Sequence, residues 1–187
     1  MPLLPSIAAA ETHGAVVPIG FQTVSGSSTS AITFSNIPQG FQDLFLVVNS
    51  RSLYATVNAG FSMQIGNGSV DAGSNYSNTC LKGDGSSATS TRSTASTITL
   101  EEGVPGANAT SGVFGTVENH FLNYANTSTY KTILSRSAMD LNGSGTTRLT
   151  ANLWRSTSAI NIISCYTSGN WASNSTFALY GIRSIGQ

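Results

Sequence analysis

The sequence predicts an all-β fold, an antiparallel β-sandwich of jelly-roll type. Three observations carry this. Charged residues are 9% of the 187 positions and hydrophobic ones 40%, whereas soluble domains usually carry roughly 25% charge. Ser and Thr fill about a quarter of the chain, so the polar surface is neutral hydroxyl and amide. Such a composition suits strands and turns, not helix surfaces built on Lys, Glu and Arg. Lastly, short apolar stretches alternate with Gly, Asn, Ser and Asp clusters, giving about ten strands with turns every eight to twelve residues.

Residues 1–19 show neither helical nor strand period, and Pro18 closes them. They read as an N-terminal arm before a sandwich domain at 20–187. Leu3, Leu4, Ile7, Val16 and Val17 are apolar enough to need cover. Two readings stand: a frayed terminus, or an extended arm lying on a neighbouring subunit. The segment lacks a basic leader, so a secretory signal is not expected.

From Gly20 the strands follow in order. Phe21–Ser25 and Ala31–Phe34 flank Gly26-Ser27-Ser28 and read as a hairpin. Leu44–Asn49 is apolar on both faces, the mark of a central, doubly covered strand. Phe61, Met63 and Ile65 alternate with Ser62 and Gln64, a half-buried strand. Tyr76–Leu81 is the next candidate. Residues 85–97 are Ser, Thr and Ala, fitting either a long loop or a polar strand. Thr97–Leu100 resumes strand pattern, and Glu101–Gly112 reads as a loop. Val113–Asn123, Tyr130–Met139 and Thr146–Arg155 follow, the last two joined by Asp140-Leu141-Asn142-Gly143-Ser144-Gly145, the strongest hairpin signal in the chain. Ala159–Tyr166 and Phe177–Ile182 complete the set. Pro38–Gln42 is the one helical candidate.

Little chemistry is legible. Of the two histidines, His13 lies in the arm and His120 inside a strand, and no Gly-X-Ser-X-Gly elbow supplies a nucleophile. Asp84 and Asp140 sit beside glycines, where a turn role is expected. No His/Cys cluster has zinc spacing, and no carboxylate series resembles a calcium loop. No catalytic residue, metal or cofactor is expected, so the chain reads as a non-enzyme. Cys80 and Cys165 read as free buried thiols. Net charge is zero, which argues against a nucleic-acid partner. No apolar run reaches the roughly 20 residues of a membrane span. Trp154, Trp171, Tyr166 and Tyr180 could form a sugar-stacking platform, but packing is the favoured reading, with Trp154 and Tyr180 as core or inter-subunit residues. Trp171, in the loop-like Gly169-Asn170-Trp171-Ala172, is expected as an exposed contact.

The stretch Ile32-Thr33-Phe34-Ser35-Asn36-Ile37-Pro38-Gln39-Gly40-Phe41-Gln42-Asp43-Leu44 leads into an apolar strand ending at Arg51-Ser52. The chain closes on Phe177-Ala178-Leu179-Tyr180-Gly181-Ile182. Together these resemble small jelly-roll virion structural proteins of tailed bacteriophages. The motifs are structural: Pro38 fixes a turn and pushes Ile37 to an extended shape, Ile37 and Phe41 are expected to plug the sandwich end, and Gly181 allows either a close approach or a bulge. The resemblance implies a capsid decoration (cement) protein on the capsid exterior, a homotrimer bound across major capsid protein subunits, with the arm touching the shell or a sister subunit. The alternative it implies is a tail fibre or baseplate module touching host glycans. No heptad or β repeat of a fibre is present.

Overall fold

The computed structural model describes residues 15–184. In chain order its strands are β1 (Val16–Thr23), β2 (Ala31–Phe34), β3 (Asp43–Ser50), β4 (Asn58–Asn67), β5 (Ser69–Val70), β6 (Tyr76–Gly83) and β7 (Ala88–Ala95). They continue as β8 (Ile98–Pro105), β9 (Gly115–Phe121), β10 (Lys131–Asp140), β11 (Gly145–Trp154), β12 (Ile162–Thr167) and β13 (Thr176–Ile182). Two antiparallel sheets form a sandwich. The large one runs β1-β13-β3-β9-β10-β11-β6-β7, and the small one runs β2-β12-β4-β5 with β8 also on β4. The described residues contain no helix, and Pro38–Gln42 is irregular backbone.

The chain crosses between layers repeatedly: β1 large, β2 small, β3 large, β4 and β8 small, β9 large, β12 small, β13 large. Two insertions break this alternation. Residues of β5–β7 lie between β4 and β8, and the β10–β11 hairpin lies between β9 and β12; four of these strands, β6, β7, β10 and β11, widen the large sheet. The core fills the space between the sheets. Leu44, Leu46 and Val48 of β3, Phe177 and Leu179 of β13, and Val117 and Phe121 of β9 meet Phe61, Met63 and Ile65 of β4 and Ile163 and Cys165 of β12. Both cysteines are free and buried, and burial pushes the Cys165 thiol well above its ordinary range.

Several expectations change. The strand begins at Val16, not after residue 19, so Val16 and Val17 belong to β1 and pair with Ile182 and Gly181. Leu3, Leu4 and Ile7 lie outside the described residues. Phe21–Ser25 and Ala31–Phe34 do not form a hairpin: β1 pairs with β13 and β2 with β12, in different sheets. A turn with Gly26 at φ 79° serves a corner between layers as well as a hairpin, and local sequence does not separate them. The 85–97 segment is mostly strand, the exposed, hydroxyl-rich edge β7. Strand β8 continues to Pro105, through a stretch read as loop, where Glu102 takes φ 55° at a register break opposite Ala59 and Phe61. The Asn142-Gly143 hairpin forms as expected, with Leu141 N–H bonded to the Ser144 carbonyl and both turn residues at positive φ.

The motif residues behind the phage resemblance act as pins. Arg51 donates to four main-chain carbonyls, those of Ala107, Ala109, Thr110 and Val113. Ser52 Oγ donates to the Ser168 carbonyl at 2.5 Å and accepts from Tyr54 N–H at 3.1 Å. Ile37 is buried, and Tyr124 Oη donates to the Pro38 carbonyl. The Phe41 ring lies against Gly181; close approach, not a bulge, is what that glycine permits.

A second lock closes the loop after β5. Asp71 accepts from Trp154 Nε1 at 2.8 Å, Asn75 Nδ2 at 2.9 Å and Gly73 N–H at 2.8 Å. Burial pushes its carboxyl up, but the three donors outweigh it and the net displacement is downward. A carboxyl with a depressed folded pKa stabilises the fold above its unfolded value, near 3.9, and loses that contribution as pH falls through the folded value. Asp71→Asn places an amide donor against two donors and is expected to lower stability by about 1–3 kcal/mol at pH 7. In urea titrations from pH 7 to 2, the gap between wild type and variant should shrink below about pH 4; a gap independent of pH would refute the ionic role.

Candidate interaction face on the large sheet

Strand side chains alternate between faces, and the register places the outward ones in rows across the large sheet. One row reads Phe21, Ala178, Val47, Glu118, Arg136, Leu149, Leu81. The next reads Pro18, Tyr180, Phe45, His120, Leu134, Ala151, Thr79. Four of these side chains are large, apolar and well exposed: Phe21 at 67%, Leu81 at 55%, Leu149 at 49% and Leu134 at 43%. Phe45 and Val47 are half-buried, so β3 is covered by the small sheet on one face only, contrary to the expectation of two covered faces.

Strand β11 makes the point most directly. Its inward residues are Thr146, Arg148, Thr150, Asn152 and Trp154; its outward ones include Leu149, Ala151 and Leu153. Except for Trp154, polarity is inverted relative to a strand whose core lies inside its own domain. Adjacent β10 is mixed: Ser135 and Ser137 point inward between Ile133 and Met139, and Leu134 points outward beside Arg136. Exposed apolar faces of this kind are, in general, where interaction surfaces occur.

Two ion pairs lie on the face, while Arg92 of β7 continues the second row beyond Thr79 with no ion-pair partner among the described residues. Arg136 Nε bonds Glu118 Oε2. His120 Nε2 lies 3.0 Å from Asp43 Oδ2, while Asp43 Oδ1 accepts the Asn123 N–H at 2.7 Å. The Phe45 ring meets the His120 ring edge-on, centroids 6.2 Å apart. A His–Asp dyad orients an imidazole for acyl transfer when a hydroxyl or thiol stands on its other side. Here the cross-strand neighbours of His120 are Phe45 and Leu134, which offer neither. A depression of about 940 Å³ between the 83–87 turn and the β10–β11 hairpin is lined by Asp84 and Asp140. Both are turn locks: Asp84 accepts from Ser86 and Ser87, and Asp140 from Asn142 N–H. Among the described residues no group of three or more His, Cys, Asp or Glu side chains is placed to hold a metal ion, and no helix is long and apolar enough to cross a membrane.

The chain matches no family model, no curated protein and no solved structure.

Of the residues singled out from sequence, Val16 lies on the face, exposed at the β1 edge beside Ile182. Trp171 does not: it is 0% exposed, packed between Phe61 and Phe177 with ring centroids at 6.2 and 5.0 Å. It is a core residue, not an exposed contact. Its loop enters the sandwich because Trp171 N–H bonds the Thr29 carbonyl and Ala172 N–H bonds the Arg51 carbonyl. Trp154 is buried too, so the two tryptophans form no sugar platform. Sequence reading missed Leu81, Leu134 and Leu149. The available signal is the alternation of polar and apolar residues over Arg148–Leu153, which sorts the side chains into two sets without saying which set faces out.

Proposed function

We propose that this protein is a non-enzymatic structural component of a tailed-phage particle, a decoration protein that docks the outer face of its large sheet across neighbouring major capsid subunits. The inverted phase of β11 is the observation that carries it. Eight strands spaced about 4.8 Å apart make a face roughly 34 Å wide, the scale of a standard interface of about 800 Å² per partner. Its Arg136–Glu118 and His120–Asp43 pairs are internally matched, which suits a partner surface that is largely apolar and neutral. The jelly-roll reading is supported by the strand orders β1-β13-β3-β9 and β2-β12-β4-β8, with β5–β7 and β10–β11 as insertions. The phage assignment rests on the motif residues at 32–52 and 177–182. Homotrimer assembly on the capsid exterior, with Leu3, Leu4 and Ile7 adding contacts to shell or sister subunit, belongs to the same proposal. The tail alternative loses its strongest glycan contact with the burial of Trp171.

The test is Leu134→Asp with Leu149→Asp, assayed for binding to capsids lacking the protein. Each truncated anchor is expected to remove about 1.5–3 kcal/mol of binding, so the pair should weaken affinity at least a hundredfold while circular dichroism and Tm stay near wild type. Undiminished binding by the folded variant would remove this face from the interface.

A further inference from the structure

The counterpart of the apolar outer face is a polar inner one, and we infer that it is a site for bound water: a cluster of ordered water molecules held between the sheets by Asn119, Ser137, Arg148, Thr150 and Asn152. Each of these side chains is more than nine-tenths buried. Each also keeps a buried polar atom without a protein partner: Asn119 Nδ2, Ser137 Oγ, Arg148 Nε, Thr150 Oγ1 and Asn152 Oδ1. They are neighbours, not scattered orphans. Asn119, Ser135 and Thr150 stand side by side across β9, β10 and β11; Ser137 and Arg148 form the adjacent pair in the next row, and Asn152 flanks Thr150 along β11.

Partial pairing among them sets the pattern. Asn152 Nδ2 donates to Ser135 Oγ at 2.8 Å, and Ser135 Oγ donates to Asn119 Oδ1 at 2.6 Å. That relay leaves a free acceptor at the Asn152 end and a free donor at the Asn119 end. Arg148 reaches Cys80 Sγ at 3.5 Å and Glu102 Oε2 at 3.4 Å, and its Nε–H remains. Glu102 already balances Arg148, and Lys82 also holds it at 2.5 Å. An anion suits Arg148 Nε and Asn119 Nδ2 but meets the Asn152 carbonyl oxygen. A metal cation suits that oxygen but meets the guanidinium. The ligand that satisfies donors and acceptors together is one that does both, and water is the smallest. Buried polar groups without protein partners are where internal waters are held.

The experiment is a crystal structure of the full chain at about 1.5 Å, joined to water magnetic relaxation dispersion in solution. Expected are at least two density peaks within roughly 2.7–3.2 Å of the five named atoms, and a long-lived water contribution in the dispersion profile. The double variant Thr150→Val with Asn152→Leu should lose those peaks and reduce that contribution. A dry interlayer, in which the five side chains rotate to pair with one another, overturns the inference. So does density of an ion there. If the double variant does not fold, the wild-type map and profile decide alone.

Discussion

Trp171→Ala is expected to destabilise the protein by about 3–5 kcal/mol, in the range found for deleting a fully buried aromatic. At this chain length that corresponds to a Tm lower by roughly 10 °C. The reason is position: the indole fills the core between Phe61 and Phe177, at the antiparallel bridge between Ser52 and Trp171 that ties two loops together. Substitution opens a cavity lined by rings that cannot collapse into it. Urea titration with near-ultraviolet circular dichroism reads the result. A loss below about 1 kcal/mol, the range of ordinary surface substitutions and small changes, would return Trp171 to the surface and reopen glycan contact.

Gly181→Ala is expected to cost about 3 kcal/mol or more, at the upper end for overpacking. A Cβ built on Gly181 stands 2.4 Å from Phe41 Cγ and within 2.6 Å of both Cδ atoms. Gly181 pairs with Leu44 and Val17 on either side, so β13 cannot shift alone to make room. The ring must leave instead, and with it the plug above the Ile37-Pro38 turn. The discriminating measurement is a double-mutant cycle. Phe41→Ala destabilises by itself, yet combined with Gly181→Ala it should recover most of the glycine variant's loss, giving a coupling of at least about 1–2 kcal/mol. Additive losses would show that the glycine serves something other than the ring.

Both variants test residues that were visible in the sequence, and they fared differently. Phe41 lies in one motif stretch and Gly181 in the other, and the sequence admits either a close approach or a bulge at the glycine. Trp171 was placed in a loop correctly and outside the core wrongly. A loop's neighbours in sequence say whether its backbone is irregular, not whether it folds over a sandwich end. The main-chain bonds from Trp171 to Thr29 and from Ala172 to Arg51 come from residues more than a hundred positions away. The same distance explains the false hairpin at Gly26, whose flanking strands find partners at the far end of the chain.

What the sequence determined by itself was local. Hydroxyl-rich composition, two-residue periodicity and turn chemistry are properties of neighbouring residues, and they yielded the all-β class, the long strands β3, β4, β9, β10, β11 and β13, the Asn142-Gly143 hairpin and the turn roles of Asp84 and Asp140. Only the tertiary structure decided which way each strand faces. Period 2 sorts side chains into two sets without saying which set is inside, because that depends on what lies across the sheet. In β11 the set carrying Leu149 and Ala151 points out and the set carrying Arg148 and Thr150 points in. The candidate docking face and the polar interior both follow from that single choice of side.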